Sequence, residues 1–416
     1  MFHALWAEDG TIFLAQALHR GTVTSFGRAY EGYLHTVPRG IAAVATLLPL
    51  RDAPAVFGVA VVVVVLCVAA VAEQVSGRFI RRRWLRVVCG LSVGLLPVLG
   101  AEAIGSAANL QFLLVFMVFW LLLAQPRHPG AIAAICVVEV LVVLTSAVVA
   151  VLLPLALCRL VVDRRGRSAA IPATLVGAIG VLLVYLAIAR PPRGLAPQGS
   201  LVHRLGQGVV GLMNEVVGNF VPHSPGGRLT AANDRVTHLL AVPLAVLVVA
   251  ALVVALTSFY AASRAPVERD VRIAEDGPRA VVAWLVILAA GTWFLIAVIF
   301  GNAVSRYGVL PGLFLVAAVC VLADGALDAL QSRPAPPARV AIVTVPGVAL
   351  VMSFVLSAAV GWRPIPYRID GPQWRPQVVQ AAASCQTGAV GTDEFQIAVA
   401  PRGFGAVAVS CDDLDK

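Results

Sequence analysis

The chain reads as an all-α polytopic membrane protein with a small α+β cap at its C-terminal end, and three observations predict this. Of its 416 residues 59% are hydrophobic and only 13% charged, about half the charged share of an ordinary soluble domain. The apolar residues fall in runs such as Ala55 to Ala72, Thr237 to Leu256 and Ala280 to Phe300, near the roughly 20 residues that a helical span requires. After residue 361 the long apolar runs stop, and a polar tail rich in proline and glycine follows.

Taken in order, the apolar runs predict about ten spans, near 54–75, 87–101, 110–124, 130–144, 147–160, 168–189, 236–260, 280–300, 308–323 and 339–361. Residues 130–160 are too long for one span and short for two, so Thr145-Ser146 is the candidate hairpin tip between them. The spans make up a domain at 1–361, and residues 362–416 form a second, small one. The net charge of +9 is carried almost wholly by arginine. Arg78, Arg81, Arg82, Arg83 and Arg86 share one connection; Arg127, then Arg159, Arg164, Arg165 and Arg167, then Arg264, Arg269, Arg272 and Arg279 occupy the others on that side. Dense arginine in short loops marks the cytoplasmic side of a plasma-membrane protein. An even number of spans then places both termini outside.

Three longer segments therefore lie outside: 1–53, 190–235 and 362–416. Within the second, Leu205, Val209, Leu212 and Val216 recur near helical spacing, which predicts a helix lying on the membrane surface. In the tail, a helical pattern from Pro376 to Cys385 and alternating stretches near Ile397 and Val407 predict the α+β cap. Cys385 and Cys411 stand there in an oxidising compartment, which favours a disulfide over two buried thiols. The other cysteines lie in or beside apolar runs as small hydrophobes. An outside N-terminal segment with no span before Trp6 is unusual. Either a further span precedes Met1 in the gene or the orientation is reversed, and an in-frame apolar stretch upstream would decide between them.

The first segment concentrates the polar chemistry: Trp6-Ala7-Glu8-Asp9-Gly10, then Tyr30-Glu31-Gly32-Tyr33-Leu34-His35, then Pro38-Arg39. Glu8-Asp9-Gly10 is also what a turn with a capping aspartate looks like. Ala-Glu-Asp-Gly recurs at 274–277 in an arginine-rich loop, where a solvated turn is expected. Glu139 stands inside an apolar run, where an acid is costly and by default a functional suspect. Asn214, Glu215, Asn219 and His223 form a polar face on the second outer segment that would suit an acceptor glycan. No basic stripe alternates with stacking aromatics, which argues against nucleic acid, and no cysteine or histidine spacing suggests zinc.

In order and sidedness the chain resembles the GT-C glycosyltransferases, multi-span enzymes that use polyprenyl-phosphate sugars and carry an acid in their first outer loop. The matching stretches are Trp6-Ala7-Glu8-Asp9-Gly10, Tyr33-Leu34-His35 with Pro38-Arg39, Gly100-Ala101-Glu102 with Asn109-Leu110-Gln111, Leu153-Pro154-Leu155 and Ser305-Arg306-Tyr307, with a two-cysteine tail. The resemblance implies a GT-C-like fold that moves a sugar from a lipid-phosphate carrier to an envelope glycan, lipid or protein. A carboxylate then serves as general base, Asp9 first and Glu8 second. Arg39 and Arg306 hold the lipid phosphate, His35 and Tyr307 add hydrogen bonds, and Tyr33, Glu102 and Asn109 contact substrate. Glu8 and Asp9 would also suit Mg²⁺ or Mn²⁺, although two adjacent carboxylates are no metal-site signature. The residues taken singly keep plainer readings: the arginines snorkel to headgroups, the tyrosines belong to an interfacial belt, and Glu102 and Asn109 cap helices. A glycolipid or solute transporter and a non-catalytic envelope assembly protein are the alternatives. The first predicts charged or helix-breaking residues at mid-membrane; the second predicts that Asp9 is dispensable.

Overall fold

Inside a bilayer every backbone N–H and C=O must find a partner within the protein, so long apolar runs fold as helices. The computed structural model describes residues 2–100, 105–162, 166–189, 199–212, 216–220, 249, 253, 272–300, 305–332, 337–361, 371–387 and 394–414. Apart from residues 249 and 253, the expected span at 236–260 lies outside them, as do Asn214, Glu215 and His223. Short helices α1 (Ala15–Arg20), α2 (Thr22–Phe26) and α3 (Thr36–Ala45) precede α4 (Ala53–Ser76), α5 (Arg83–Leu95), α6 (Leu110–Leu123) and α7 (Pro129–Thr145). Then come α8 (Leu153–Val162), α9 (Ala170–Ala189), α10 (Leu201–Gly211), α11 (Arg272–Phe300), α12 (Val309–Ser332) and α13 (Pro337–Gly361). The tail folds as α14 (Trp374–Thr387), β1 (Glu394–Ala398), β2 (Ala406–Ser410) and α15 (Cys411–Leu414).

Among the described residues four helical stretches are long and apolar enough to cross a membrane: Leu50–Ser76, Arg167–Ile188, Gly277–Leu295 and Arg306–Asp328. Shorter apolar helices cover Leu110–Leu123, Pro129–Thr145, Ala147–Val162 and Val345–Val360. The most apolar window of the Arg306–Asp328 stretch is 94% buried, against 28% for Leu50–Ser76. Helix α12 is therefore the axis of the bundle, and α4 turns Val59, Val62, Val63 and Leu66 outward. Helix α6 is apolar all round and buried from Leu110 to Leu122, as expected of a helix enclosed on every side. Gly347 lets α13 approach α12, since a Cβ there would lie 3.2 Å from the Ala323 Cα.

The two ends of the bundle differ in chemistry. At one end Arg78 Nη1 donates to the Leu123 carbonyl (2.6 Å) and Arg159 Nη2 to the Ala124 carbonyl (2.8 Å). The Asp324 carboxylate, on α12, accepts from the Arg81 and Arg82 amides at 2.9 and 3.0 Å, and Arg82 Nη1 reaches both Asp324 and Asp328. The connections that carry Arg78, Arg81, Arg82 and Arg159 thus share one end, and some of their charge pins α5 to α12. The starts of α6 and α12 and the end of α7 meet at the other end.

Local departures from expectation have local causes. Helix α7 stops at Thr145, and Ser146 is extended (φ −148°). The Ser146 hydroxyl accepts from the Val148 amide at 3.2 Å and caps a 3₁₀ stretch, Ala147–Leu152, that leads into α8. The expected hairpin tip is thus a capped break in helix direction. Residues 274–277, expected as a solvated turn, lie inside α11, because Glu and Asp are tolerated in a first helical turn. Helix α10 does not simply lie on a surface: Trp293 Nε1 donates to the Gly208 carbonyl at 2.6 Å, and Val216, Val217 and Phe220 beyond it are buried. Asn219, expected in an acceptor-facing set, is buried and accepts from the Val98 amide through Oδ1 at 3.0 Å. In the cap, β1 and β2 pair antiparallel with Ile397 opposite Val407. Cys385 and Cys411 are joined, tying α14 to α15.

Candidate active site

The cap and the first segment build one wall together. Residues Leu5 to Ala7 run alongside Ala400: the Ala7 amide donates to the Ala400 carbonyl (2.7 Å), and the Ala400 amide to the Leu5 carbonyl (2.8 Å). Trp374, wholly buried, donates its amide to the His3 carbonyl (2.9 Å) and its indole N–H to the Leu50 carbonyl (2.8 Å). Gly10 fits because it has no side chain; a Cβ there would lie 2.6 Å from Val399 Cγ1. The chain then enters a π-helical turn, Asp9–Leu14, a wide turn that sends the neighbouring Glu8 and Asp9 to different surroundings.

Asp9 is buried and does not line the cleft described below. Its two carboxylate oxygens accept from the Ala107 and Ala108 amides, each at 3.0 Å. It holds the loop that leads into α6, and this overturns the expectation that Asp9 faces a substrate hydroxyl. Arg39 is a second correction. It has no exposed surface, and its guanidinium donates to the Leu34 carbonyl, Gln16 Oε1 and the Arg28 carbonyl, each at 2.7 Å. It also lies 5.6 Å from the centre of the Phe13 ring. Burial, and then Arg28, lower its pKa to about 10, so it stays cationic at neutral pH while bracing residues 28–34 from within.

That brace shapes a tight turn. Tyr30 and Tyr33 exchange both backbone hydrogen bonds, at 2.9 and 3.2 Å, around Glu31 (φ 50°) and Gly32 (φ 96°). Two central residues at positive φ give the two-residue hairpin geometry in which glycine is favoured. His35 also adopts a left-handed conformation (φ 52°, ψ 45°) and stacks on Tyr33 with ring centres 4.3 Å apart. The hairpin and its histidine are anchored to the break after α7, where the Val37 amide donates to Thr145 Oγ1 at 3.1 Å.

Between these pieces lies a small open cleft of about 90 Å³, lined by Glu8, Tyr30, Glu31, Tyr33, His35, Ala108, Asn109, Gln111, Phe112, Val148, Arg306 and Tyr307. Of the residues singled out from sequence, Glu8, Tyr33, His35, Asn109, Arg306 and Tyr307 meet here, Asp9 and Arg39 stand behind the wall, and Glu102 lies outside the described residues. Arg306 Nη1 is 3.5 Å from Glu8 Oε1, and its guanidinium lies over the Tyr307 ring, 5.5 Å from its centre. The hydroxyl of Tyr33 is hydrogen-bonded to Gln111, whose Oε1 accepts from the Ser146 hydroxyl at 3.2 Å. Burial, then the charges of Glu8 and Glu31, push the Tyr30 phenol up to about 12; burial likewise raises Tyr33. Both remain neutral hydroxyls. Burial, then Arg39, lower His35 to about 3. The Tyr30 backbone lies beside its ring, yet neither ring nitrogen closes a hydrogen bond of normal geometry. His35 is therefore a neutral imidazole.

No family model, curated protein or solved structure matches the chain. The site must therefore be read from its own chemistry. Two carboxylates, one of them against a guanidinium, with three phenols, two carboxamides and a neutral imidazole, can move a proton, hold an anion and hydrogen-bond a polyhydroxylated ligand. Tyr30, Glu31 and Gln111, which stand in stretches singled out from sequence but had no site role there, also line the cleft. The aromatic–X–Gly–aromatic pattern of 30–33 signals the hairpin; nothing local signals that Gln111 reaches Tyr33. Among the described residues no three His, Cys, Asp or Glu side chains converge as a metal site.

Proposed function

We propose that the chain is a membrane glycosyltransferase of GT-C type. It takes a sugar from a polyprenyl-phosphate carrier and passes it to an envelope glycan, lipid or protein on the extracytoplasmic face of the plasma membrane. About ten spans and a C-terminal cap complete this reading. The observation that carries it is the Glu8–Arg306 pair, 3.5 Å apart in a cleft walled by tyrosines and carboxamides. Its position supports the sidedness, because the cleft lies at the end of the bundle opposite the connections that carry Arg78, Arg81, Arg82 and Arg159, and dense arginine favours the cytoplasm.

In this mechanism Glu8 accepts the proton of the acceptor hydroxyl. The hydroxyl oxygen forms the new bond to the anomeric carbon as the bond from that carbon to the phosphate oxygen breaks, and the electron pair leaves on the lipid phosphate. Arg306 balances that anion with a planar fork that stays charged. Tyr30, Tyr33, Asn109 and His35 hydrogen-bond sugar hydroxyls, and Asp9 acts through the loop that carries Asn109. The described residues are a poor fit for Mg²⁺ or Mn²⁺, because Glu8 faces Arg306, and no step is routed through a metal.

Glu139 favours a second reading, a transporter. It is buried within α7, and neither carboxylate oxygen has a hydrogen-bond partner. Deleting the gene, restoring it with wild-type, Glu8→Gln or Glu139→Gln forms at equal membrane levels, and analysing envelope glycan linkages separates the two. The transferase reading expects one linkage to vanish, to return with wild type and to stay absent with Glu8→Gln. Full restoration by Glu8→Gln, with failure of Glu139→Gln, would overturn it in favour of transport.

A further inference from the structure

This inference rests on the transferase reading of the cleft. Glu8 has to accept a proton from an acceptor hydroxyl, yet its carboxylate already faces a cation. The Glu8–Arg306 separation of 3.5 Å is long beside the roughly 2.7–2.9 Å of a charge-assisted hydrogen bond, so the two ions attract without closing a short bond. The Arg306 side chain is 27% exposed and that of Glu8 13%, so Arg306 is the more accessible side chain of the two. The Tyr307 ring beneath it, met edge-on by Phe112 with ring centres 6.1 Å apart, forms a shelf on which the guanidinium can exchange one anion for another.

We propose that the Glu8–Arg306 ion pair is a resting lock that the phosphate of the lipid-linked donor opens. A phosphate offers more oxygens than a carboxylate and takes the guanidinium fork two bonds at a time. When it occupies Arg306, Glu8 loses its intramolecular partner and is free to receive the acceptor hydroxyl. The device orders the reaction: donor first, acceptor second. It also makes Glu8 a competitor of the donor phosphate for Arg306, which has a counter-intuitive consequence. Removing the base strengthens phosphate binding.

The test is equilibrium binding of farnesyl monophosphate to the purified full chain in detergent, with farnesol as the uncharged control. Glu8→Gln is expected to bind the phosphate roughly two- to fivefold more tightly than wild type, the strength of a partly exposed ion pair. Glu8→Asp keeps the charge but draws the carboxylate back, and is expected to fall between them. Arg306→Gln is expected to lose about tenfold or more, and farnesol should not distinguish the variants. If Glu8→Gln binds no tighter than wild type while Arg306→Gln loses binding, the lock is wrong and the phosphate site stands. If Glu8→Gln gains but Glu8→Asp matches wild type, general repulsion between anions replaces the lock. If Arg306→Gln binds like wild type, the phosphate site and the lock fall together.

Discussion

Replacing Asp9 with asparagine separates a structural carboxylate from a catalytic one. Both Asp9 oxygens accept backbone N–H groups, from Ala107 and Ala108 at 3.0 Å each, in a buried setting. A hydrogen bond to a charged acceptor contributes about 1.5–3 kcal/mol. Asparagine keeps one oxygen and sets its NH₂ against the other amide, so one bond is lost and a donor meets a donor. The expected cost is about 2–4 kcal/mol, or roughly 30- to 1000-fold in the opening of this loop. Amide hydrogen exchange of the full chain in detergent reads it directly: the Ala107 and Ala108 amides should exchange faster by that factor, with a lower melting temperature. A catalytic base at Asp9 predicts a folded variant with unchanged exchange and lost activity. Wild-type exchange at both amides, together with an unchanged melting temperature, would refute the brace.

Other perturbations test the remaining walls. Arg39→Met leaves the Arg28 and Leu34 carbonyls without their donor, at a cost of about 3 kcal/mol or more, and trypsin should cut after the exposed Arg28 on the order of 100-fold faster; an unchanged cleavage rate would contradict the brace. His35 has its pKa lowered from 6.5 to about 3 in the fold. Below pH 6.5 the unfolded chain therefore binds a proton that the folded one refuses. Stability from this group is complete above pH 6.5 and is lost as pH falls towards 3, by up to about 1.4 kcal/mol per pH unit. Between pH 6.5 and 5 wild type should lose stability relative to His35→Gln; parallel melting curves would mean that the imidazole already protonates in the fold. Gly10→Ala drives a methyl to 2.6 Å from Val399 Cγ1 and 3.3 Å from Val407 Cγ2, an overpacking of about 1–3 kcal/mol. Cleavage at the exposed Arg402 should quicken while the melting of the helical bundle stays put, and unaltered cleavage would show that the cap is not clamped here.

Much of the framework is legible in the sequence. The apolar runs near 54–75, 110–124, 130–144, 168–189 and 339–361 correspond to α4, α6, α7, α9 and α13, since a long apolar run has few ways to satisfy its backbone. The tail patterns at Pro376, Ile397 and Val407 became α14, β1 and β2 because burial on one face imposes the period of the element. The Ala-Glu-Asp-Gly sequence at 274–277 suggests a turn but lies in a helix, since four residues carry no information about the helix that absorbs them.

For the site, sequence by itself determined the inventory: acids, phenols and a histidine in the first segment, an Arg-Tyr pair before α12, and an Asn and a Gln before and within α6. Residue type and chain order are enough for that. Only the tertiary structure decided what surrounds each of them. Glu8 and Asp9 are neighbours of nearly equal chemistry, and what distinguishes them lies far along the chain: Ala107 and Ala108 claim one carboxylate, 98 and 99 residues away, and Arg306 faces the other. Arg39 and Arg306 look alike as phosphate ligands until the first is seen donating to Leu34, Gln16 and Arg28 from a site without exposed surface. Whether a charged side chain serves as a brace or a ligand depends on the polar groups that reach it first, and those contacts exist only after the chain has folded.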